Sequence, residues 1–256
     1  MYKHQKARSA LAFGRAIAVS ALAIFAGNTA HASITAEQDA HIRSVFESDL
    51  IGAKVQEIRK TPVSGIVSVE VEDGSTVYTT MDASFFFVGD LYQRESDAIV
   101  NLSKIRLQQI AKKIIDTTPE STMIVYPAPN QKTVITVLTD VDCPYCQKLH
   151  ADIASLNELG VTVRYMAFAR MGVDSETGEK MQSVWCSNDQ KAEMDRAMMR
   201  LDVENRQCGQ NPIAMHYAAA QSIKASGTPT IIMQDGFLMP GYNAPEAIAE
   251  LAIQHN

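Results

Sequence analysis

Asp142-Cys143-Pro144-Tyr145-Cys146 is the stretch that decides the fold of this chain. It follows an apolar run at 134–138 and opens a segment whose apolar residues recur at steps of three and four, as on a helix that lies on a sheet. Pro144 suits the first helical turn, where its missing N–H is no loss. The sequence therefore predicts a strand that delivers a Cys-x-x-Cys pair to the start of a helix. The predicted buried stripe of that helix is Tyr145, Leu149, Ile153 and Leu156.

The position of Cys143 favours a reactive thiolate. Unpaired backbone N–H groups and the helix dipole favour negative charge at the start of a helix. We therefore expect the first thiol to titrate low, to be accessible to solvent and to attack readily. Cys146 lies within reach as its partner. Asp142 places a carboxylate beside the sulfur, and its repulsion should oppose part of the dipole effect.

Two other uses of the cysteine pair are disfavoured by its surroundings. A zinc site needs two further Cys or His ligands at short spacing; Cys186 and Cys208 stand alone, and His150 would lie one turn beyond Cys146. A purely structural disulfide between Cys143 and Cys146 would close almost no chain entropy. The sequence therefore favours redox chemistry and predicts neither a metal site nor a cofactor.

The first 32 residues have the pattern of a secretory signal peptide. Basic residues precede an apolar run at 16–27, and Ala30-His31-Ala32 supplies the small-x-small pattern of a signal-peptidase site. A membrane anchor is the alternative, but it needs about 18 or more uncharged apolar residues, and this run is shorter. Cleavage after Ala32 predicts a soluble, exported protein. Four cysteines in such a chain fit disulfide chemistry.

The charge balance argues against nucleic acid as a partner. The chain has 23 Lys+Arg and 29 Asp+Glu, a formal net charge of −6. Loss of the four basic residues that precede the apolar run leaves 19 Lys+Arg and a charge of −10. A surface this acidic does not attract a phosphate backbone.

Residues 33–95 are predicted to form a small α+β module. Thr35 is expected to cap a helix that runs through Lys54. Alternating apolar and polar residues then predict two strands joined by a turn at Asp73-Gly74, and an aromatic strand follows at 85–88.

This first module is small enough to need a partner surface. About sixty residues bury only about 60% of the surface that their unfolded chain exposes. Open sheet edges would gain most by pairing with a copy of the same module. Packing of the module against its own C-terminal domain is the alternative.

The rest of the chain is predicted to be a linker helix and a second module. The helix occupies 96–118, with Ser96 as its cap. The second module, 119–256, has a strand, helix, strand order that implies a right-handed parallel crossover. A helical insertion at about 172–211 interrupts the module.

Cys186 and Cys208 lie near the ends of that insertion. We interpret them as a disulfide that closes the insertion, and a loop of about twenty residues closed in this way is worth roughly 3 kcal/mol. A second redox pair that relays electrons is the alternative. That alternative lacks the close spacing and the helix-start context of the first pair.

Several stretches of the chain resemble the DsbC family of periplasmic disulfide isomerases. Gly227-Thr228-Pro229 is similar to the cis-proline loop of the thioredoxin fold. The other similar stretches are Val134-Ile135-Thr136-Val137, Cys143-Pro144-Tyr145-Cys146, Gln147-Lys148-Leu149-His150, Val163-Arg164-Tyr165, Val184-Trp185-Cys186 and Met239-Pro240-Gly241-Tyr242. The resemblance covers both modules and is specific.

The resemblance implies an α+β fold with a small cystatin-like N-terminal dimerisation domain, a linker helix and a C-terminal thioredoxin-fold domain with a helical insertion. It further implies a periplasmic, V-shaped homodimer joined through the N-terminal sheets. Cys143 would be the nucleophile and Cys146 its partner, and Cys186 and Cys208 would form a structural disulfide. The substrate would lie against Pro144, Tyr145, Thr228 and Pro229.

The implied function is thiol:disulfide interchange that isomerises or reduces incorrect disulfides in misoxidised exported proteins. A membrane reductase of the DsbD type would keep the enzyme reduced. Pro144-Tyr145 between the cysteines departs from the Gly-Tyr of DsbC and resembles the relative DsbG, which protects single thiols from oxidation. A DsbG-like reductase of sulfenylated cysteines and a dimeric chaperone with secondary redox activity are therefore the alternatives.

Overall fold

The computed structural model describes residues 33–72 and 74–256. The predicted signal peptide at 1–32 and Asp73 of the predicted turn lie outside the described residues. Within the described residues, no helix combines the length and the apolar character that crossing a bilayer requires.

The N-terminal part is one helix on an antiparallel sheet. Helix α1 spans Ala36–Phe46, and strands β1 (Val55–Lys60), β2 (Ile66–Val71), β3 (Thr76–Thr80) and β4 (Phe86–Val88) pair in the order β1-β2-β3-β4. The inward residues of α1 and β2 share a small core with Val55 and Ala83. The module is thus α+β, as predicted.

The predicted start of α1 is confirmed, but its predicted end is wrong. The Thr35 hydroxyl accepts from the Gln38 N–H at 3.1 Å, and the Gln38 side chain accepts from the Thr35 N–H at 2.9 Å, which is a capping box. The helix ends at Phe46 because the chain turns at 48–52, where the Gly52 N–H donates to the Ser48 carbonyl at 2.7 Å, and then pairs with β2 as strand β1; Leu50, in this turn, is 93% exposed. The chain turns there through Gly52, whose φ of 66° favours glycine.

The linker helix also begins later than predicted. Strands β5 (Tyr92–Arg94) and β6 (Ile99–Asn101) form a two-stranded hairpin, and helix α2 spans Leu102–Thr117. Asn101 caps this helix, accepting from the Lys104 N–H at 2.9 Å, so the predicted cap Ser96 is wrong. The hairpin prevails because it pairs 99–101 as a strand, and those residues cannot also be helical.

Helix α2 connects the two halves of the described chain. At its N-terminal end Arg106 donates to Glu70 of β2 at 3.0 Å. Its C-terminal half buries Ala111 and Ile115 in a core shared with Leu138 and Met166. Lys224 adds a direct contact between the halves, with its Nζ 3.3 Å from the Thr76 hydroxyl.

The C-terminal half is a five-stranded mixed sheet flanked by helices. The strands are β7 (Ile124–Tyr126), β8 (Thr133–Thr139), β9 (Val161–Ala167), β10 (Thr230–Ile232) and β11 (Leu238–Pro240), in the order β11-β10-β8-β9-β7. The helices are α3 (Pro144–Ala151), α4 (Ile153–Glu158), α5 (Glu176–Trp185), α6 (Gln190–Met198), α7 (Ile213–Ser222) and α8 (Pro245–Gln254). Strands β8 and β9 pair in parallel, as the strand, helix, strand order predicted. The arrangement is a thioredoxin-like fold in which α5 and α6 form the helical insertion.

The helix after the cysteine pair is interrupted, which corrects the predicted buried stripe. Its axis breaks at Asp152, whose carboxylate accepts from the Tyr242 hydroxyl at 2.6 Å. Tyr145, which the prediction placed in the buried stripe, is 63% exposed, and Cys146 is buried in its place. Leu149, Ile153 and Leu156 are buried as predicted.

Candidate active site

The cysteine pair stands where the central strand β8 meets helix α3. Cys143 is the N-cap residue of α3, and its carbonyl accepts the N–H of Gln147 at 3.0 Å. Pro144 occupies the first helical turn, and Cys146 ends that turn. Both cysteines are free thiols.

The expected exposure of the first sulfur is wrong. Cys143 is 2% exposed and Cys146 is 1% exposed, so both belong to the core of the module. Their burial follows from the loop that covers them. The Sγ of Cys143 donates to the carbonyl of Thr228 at 3.2 Å, and the peptide bond from Thr228 to Pro229 is cis. The structure thus brings Cys143, Thr228 and Pro229 together.

The two thiols differ in acidity although both are buried. Desolvation opposes the charged form of each. At Cys143 it is outweighed by the Thr228 hydroxyl, by Cys146 and by the backbone N–H of Tyr145, which all favour the charged form, and the pKa of Cys143 is lowered. At Cys146 desolvation prevails and raises the pKa to about 12. Of the two thiols, Cys143 is therefore the more acidic.

A buried carboxylate holds the loop that leads to Cys143. Asp140 follows β8 directly and is buried. One of its oxygens accepts from the Nε and the backbone N–H of Arg170, at 2.9 and 3.2 Å, and the other accepts from the N–H of Asp142 at 2.9 Å. The sequence did not predict this ion pair. Its only sequence signal is a carboxylate placed directly after an apolar strand.

The repulsion expected from Asp142 is offset by an ion pair. Its carboxylate accepts from Lys180 Nζ and from the Thr177 hydroxyl, both at 2.6 Å. Partial burial opposes its ionisation, but Lys180 and Thr177 outweigh that effect and the pKa of Asp142 is lowered. The carboxylate is therefore charged and paired, and Cys143 faces a dipole rather than a lone negative charge.

The helical insertion supplies these contacts. Thr177 and Lys180 lie on α5, and Arg200 follows α6. Arg200 donates to the Gln147 side-chain oxygen at 3.0 Å, and the Gln147 amide donates to the carbonyl of Val141 at 2.8 Å. The insertion thus holds both sides of the cysteine pair. A disulfide joins Cys186 to Cys208 within it.

His150, which lies one turn beyond Cys146, belongs to a buried polar network. Its Nε2 lies 3.1 Å from Asp195, and its Nδ1 lies 3.3 Å from the Tyr165 hydroxyl. The Tyr126 hydroxyl donates to the same oxygen of Asp195 at 2.6 Å. Because burial lowers the pKa of His150, the ring is neutral, with Nε2 donating to the carboxylate.

Comparison with known proteins agrees with this geometry. A family model described as "Disulfide bond isomerase protein N-terminal domain" matches residues 32–104, and one described as "Thioredoxin-like domain" matches residues 119–255. The thiol:disulfide interchange protein DsbC of Salmonella typhimurium is 37% identical over 234 residues, which cover 91% of this chain and 92% of that protein. DsbC of Escherichia coli K12 is 38% identical over 206 residues, covering 80% and 84%.

This chain belongs to the DsbC family. It is accordingly an enzyme of thiol:disulfide interchange, an oxidoreductase and disulfide isomerase by family. Among solved structures, a disulfide interchange protein from Neisseria gonorrhoeae covers 53% of this chain and 99% of its own, with 26% identity and a TM-score of 0.47. In this DsbC-family chain the redox motif reads Cys-Pro-Tyr-Cys.

Proposed function

We propose that this enzyme isomerises incorrect disulfides in exported proteins, with Cys143 as the nucleophile. The observation that carries the proposal is the contrast between the two thiols at the start of α3. Hydrogen bonds lower the pKa of Cys143, whereas burial raises that of Cys146. Only a thiolate attacks a disulfide at a useful rate, so the first sulfur attacks.

In the proposed mechanism the Cys143 thiolate forms an S–S bond with one sulfur of a substrate disulfide. The other substrate sulfur leaves with the electron pair of the broken bond and takes up a proton. A different substrate thiolate then attacks the mixed disulfide, which regenerates the Cys143 thiolate and leaves the substrate with a new pairing. This sequence is an isomerisation with no net redox change.

The second cysteine serves substrates that stall. Cys146 attacks the sulfur of Cys143, the reduced substrate departs, and the enzyme is left with a Cys143–Cys146 disulfide. An external dithiol must then reduce the enzyme, and we assign that role to a membrane reductase of the DsbD type. The structural role that we assign to the Cys186–Cys208 disulfide is to hold the insertion in place.

The substrate is proposed to bind along the edge that faces Cys143. Thr228 and Pro229 offer backbone there, because the Thr228 carbonyl already lies 3.2 Å from the sulfur. Tyr145 is 63% exposed and provides apolar surface next to Pro144 in the first turn of α3. Together they would flank an extended segment around a substrate cysteine.

The location and assembly are part of the same proposal. A signal peptide at 1–32 would export the chain to the periplasm, where disulfides persist. Residues 33–95 would act as the dimerisation domain, 96–118 as the linker and 119–256 as the catalytic domain. A homodimer would join two such chains through their N-terminal sheets.

The test compares serine variants of the two cysteines in refolding of a scrambled substrate. Cys143→Ser should abolish isomerase activity. Cys146→Ser should keep part of it and accumulate mixed disulfides, visible on non-reducing gels. Equal loss in both variants, with no trapped complex from Cys146→Ser, would mean that the roles are assigned wrongly.

A second candidate function rests on Pro144-Tyr145 between the cysteines, which resembles the DsbG motif. A DsbG-like enzyme would reduce a sulfenic acid on a single substrate cysteine. The rates on a Cys–SOH substrate and on a scrambled disulfide, measured side by side, decide between the two. The double variant Cys143→Ser, Cys146→Ser tests the chaperone alternative, since only a chaperone would still hold unfolded chains.

A further inference from the structure

Thr139 has a buried hydroxyl that no partner satisfies. It is the last residue of β8, and its side chain is fully buried. Within the described residues its Oγ1 forms no hydrogen bond. An unsatisfied buried hydroxyl costs about 1–3 kcal/mol and calls for a functional or structural reason.

Buried threonines elsewhere in the same sheet are satisfied. The Thr133 hydroxyl donates to the carbonyl of Ala252 at 3.0 Å, and that of Thr136 accepts from Arg164 at 3.0 Å. Thr230 donates to the carbonyl of Gly227 at 2.8 Å. The fold can therefore satisfy threonine hydroxyls at this depth, and Thr139 differs from its neighbours on β8.

The free hydroxyl of Thr139 faces the sulfur of Cys146. The backbone N–H of Asp140, the next residue, is directed at the same sulfur, and both groups favour its charged form. Thr228 interacts with both sulfurs, whereas Thr139 acts on Cys146 and is not among the groups acting on Cys143. A hydroxyl rotates freely, so it can donate to this sulfur as soon as the sulfur carries a charge.

We propose that Thr139 is a catalytic residue that donates a hydrogen bond to the anionic sulfur of Cys146 when that cysteine resolves a mixed disulfide. The proposal rests on the proposed function, in which Cys146 releases stalled substrates. Cys146 first loses its proton to solvent, and Thr139 and the Asp140 N–H stabilise the thiolate. The thiolate forms the S–S bond with Cys143, the bond from Cys143 to the substrate breaks, and the substrate sulfur leaves with the electron pair and takes up a proton.

The unsatisfied state of the hydroxyl then has a reason. In the resting thiol form the Thr139 hydroxyl has no partner. It gains a strong hydrogen bond only when Cys146 becomes charged. Hydrogen bonds to charged groups are stronger than neutral ones. Stabilisation confined to the charged species accelerates the step that passes through that species.

The test uses two substitutions that separate the hydroxyl from the shape of the side chain. Thr139→Val keeps the branched shape and removes the hydroxyl, whereas Thr139→Ser keeps the hydroxyl and removes the methyl group. A purified mixed disulfide between the enzyme and a single-cysteine peptide is prepared, and peptide release is followed from pH 6 to pH 9. We expect Thr139→Val to release the peptide roughly tenfold more slowly at every pH, and Thr139→Ser to release it at the wild-type rate.

A packing role predicts the reverse order. If Thr139 only fills space, Thr139→Val releases the peptide normally and Thr139→Ser is impaired, and that result would overturn the proposal. Thr136→Val, on the same strand and equally buried, is the matched control and should leave release unchanged. Thermal unfolding supplies a second readout, since Thr139→Val should be at least as stable as the wild type because it removes an unsatisfied hydroxyl.

Failure of this proposal can be told apart from failure of the proposed function. Cys146→Ser should trap the same mixed disulfide completely. If it does not, Cys146 is not the resolving cysteine and the proposed function fails. If it does, and Thr139→Val still releases the peptide at the wild-type rate, only the role of Thr139 is refuted.

Discussion

Acidity rather than exposure separates the two active-site thiols. Both sulfurs are buried, and each pays the desolvation cost of becoming charged. Donors surround Cys143 from the Thr228 side chain and from the first turn of α3, and they reverse that cost. At Cys146 desolvation prevails over the donors that face the sulfur, and this thiol stays protonated at neutral pH. The proposed order of attack, Cys143 before Cys146, thus follows from the balance between desolvation and donors at each sulfur.

The ion pair beside the active site should tune Cys143 in two directions. Asp142→Asn removes a negative charge and should lower the pKa of Cys143, whereas Lys180→Met removes a positive charge and should raise it. Thiolate absorbance measured against pH in a Cys146→Ser background reports both changes. Asp116→Asn, which breaks the exposed Lys112–Asp116 pair on α2, is the control. Shifts of the same sign in both active-site variants would contradict this account.

His216 should make the protein sensitive to mild acid. It is buried, its Nδ1 accepts from the N–H of Ala167 at 3.2 Å, and its Nε2 lies 3.3 Å from the Thr122 hydroxyl. The Thr122 hydroxyl itself donates to a carbonyl, so Nε2 carries the proton of the neutral ring. Burial lowers the pKa of His216 from 6.5 to about 4.

The sign of the pH effect follows from that difference. Below pH 6.5 the unfolded chain binds a proton at this site, and the folded chain does not bind it until the pH approaches 4. The contribution of His216 to the free energy of unfolding is therefore fully present above pH 6.5, and it falls by about 2 to 3 kcal/mol on going to pH 4.5. Urea unfolding at both pH values should show this loss, and His216→Gln should show a smaller one. His41→Gln, at an exposed histidine, should lose as much as the wild type.

At the scale of elements, the helical insertion holds the segment that carries the cysteine pair. Helix α5 holds Asp142 through Lys180 and Thr177, and the segment after α6 holds Gln147 through Arg200. The disulfide joins two residues 22 positions apart and encloses α6. The insertion therefore contacts residues on both sides of the cysteine pair, Asp142 before it and Gln147 after it.

Removal of this disulfide should therefore affect both stability and activity. The double variant Cys186→Ala, Cys208→Ala should lose about 3 kcal/mol in free energy of unfolding, as expected for a loop of this length. Isomerase activity at a temperature where the variant is fully folded should also fall, because Arg200 and Lys180 would hold the loop less firmly. A variant that is destabilised but fully active would show that the insertion does not position the site.

The sequence predicted the cysteine pair, its helix start and the parallel strand pair because these features are local or periodic. It could not predict the Asp140–Arg170 and Asp142–Lys180 pairs, whose members lie 30 and 38 residues apart. From the sequence alone, a charged side chain is equally consistent with exposure to solvent and with an ion pair inside the fold. The predicted cap of α2 was wrong for a related reason. Ser96 and Asn101 are both good cap residues, and only the pairing of β5 with β6 decides between them.

At the scale of the whole molecule, the N-terminal sheet ends in an unusual edge. Strand β4 is the last of its sheet, and its three residues and Phe85 before it are all exposed. Val88 is 75% exposed. An exposed apolar edge strand offers unpaired backbone groups as well as apolar surface, and proteins normally cover such edges. A second copy of this chain, added at this edge, would cover both.

We therefore expect a dimer in solution that depends on this edge. Light scattering of the mature chain at micromolar concentration should give twice the monomer mass. The double variant Phe85→Lys, Val88→Lys should be monomeric, since charges on an edge strand oppose pairing. Leu50→Lys, at a residue of the same module that is 93% exposed, is the matched control and should remain dimeric.

The monomeric variant also tests whether the two halves of the chain act separately. The cysteine pair lies in the C-terminal half and makes its contacts there, so reduction of a small disulfide should continue at the wild-type rate per chain. Isomerisation of a scrambled protein should fall, because one catalytic site would hold the unfolded substrate alone. A wild-type chain that is monomeric would refute the dimer, and an edge variant that stays dimeric would place the association elsewhere than at β4.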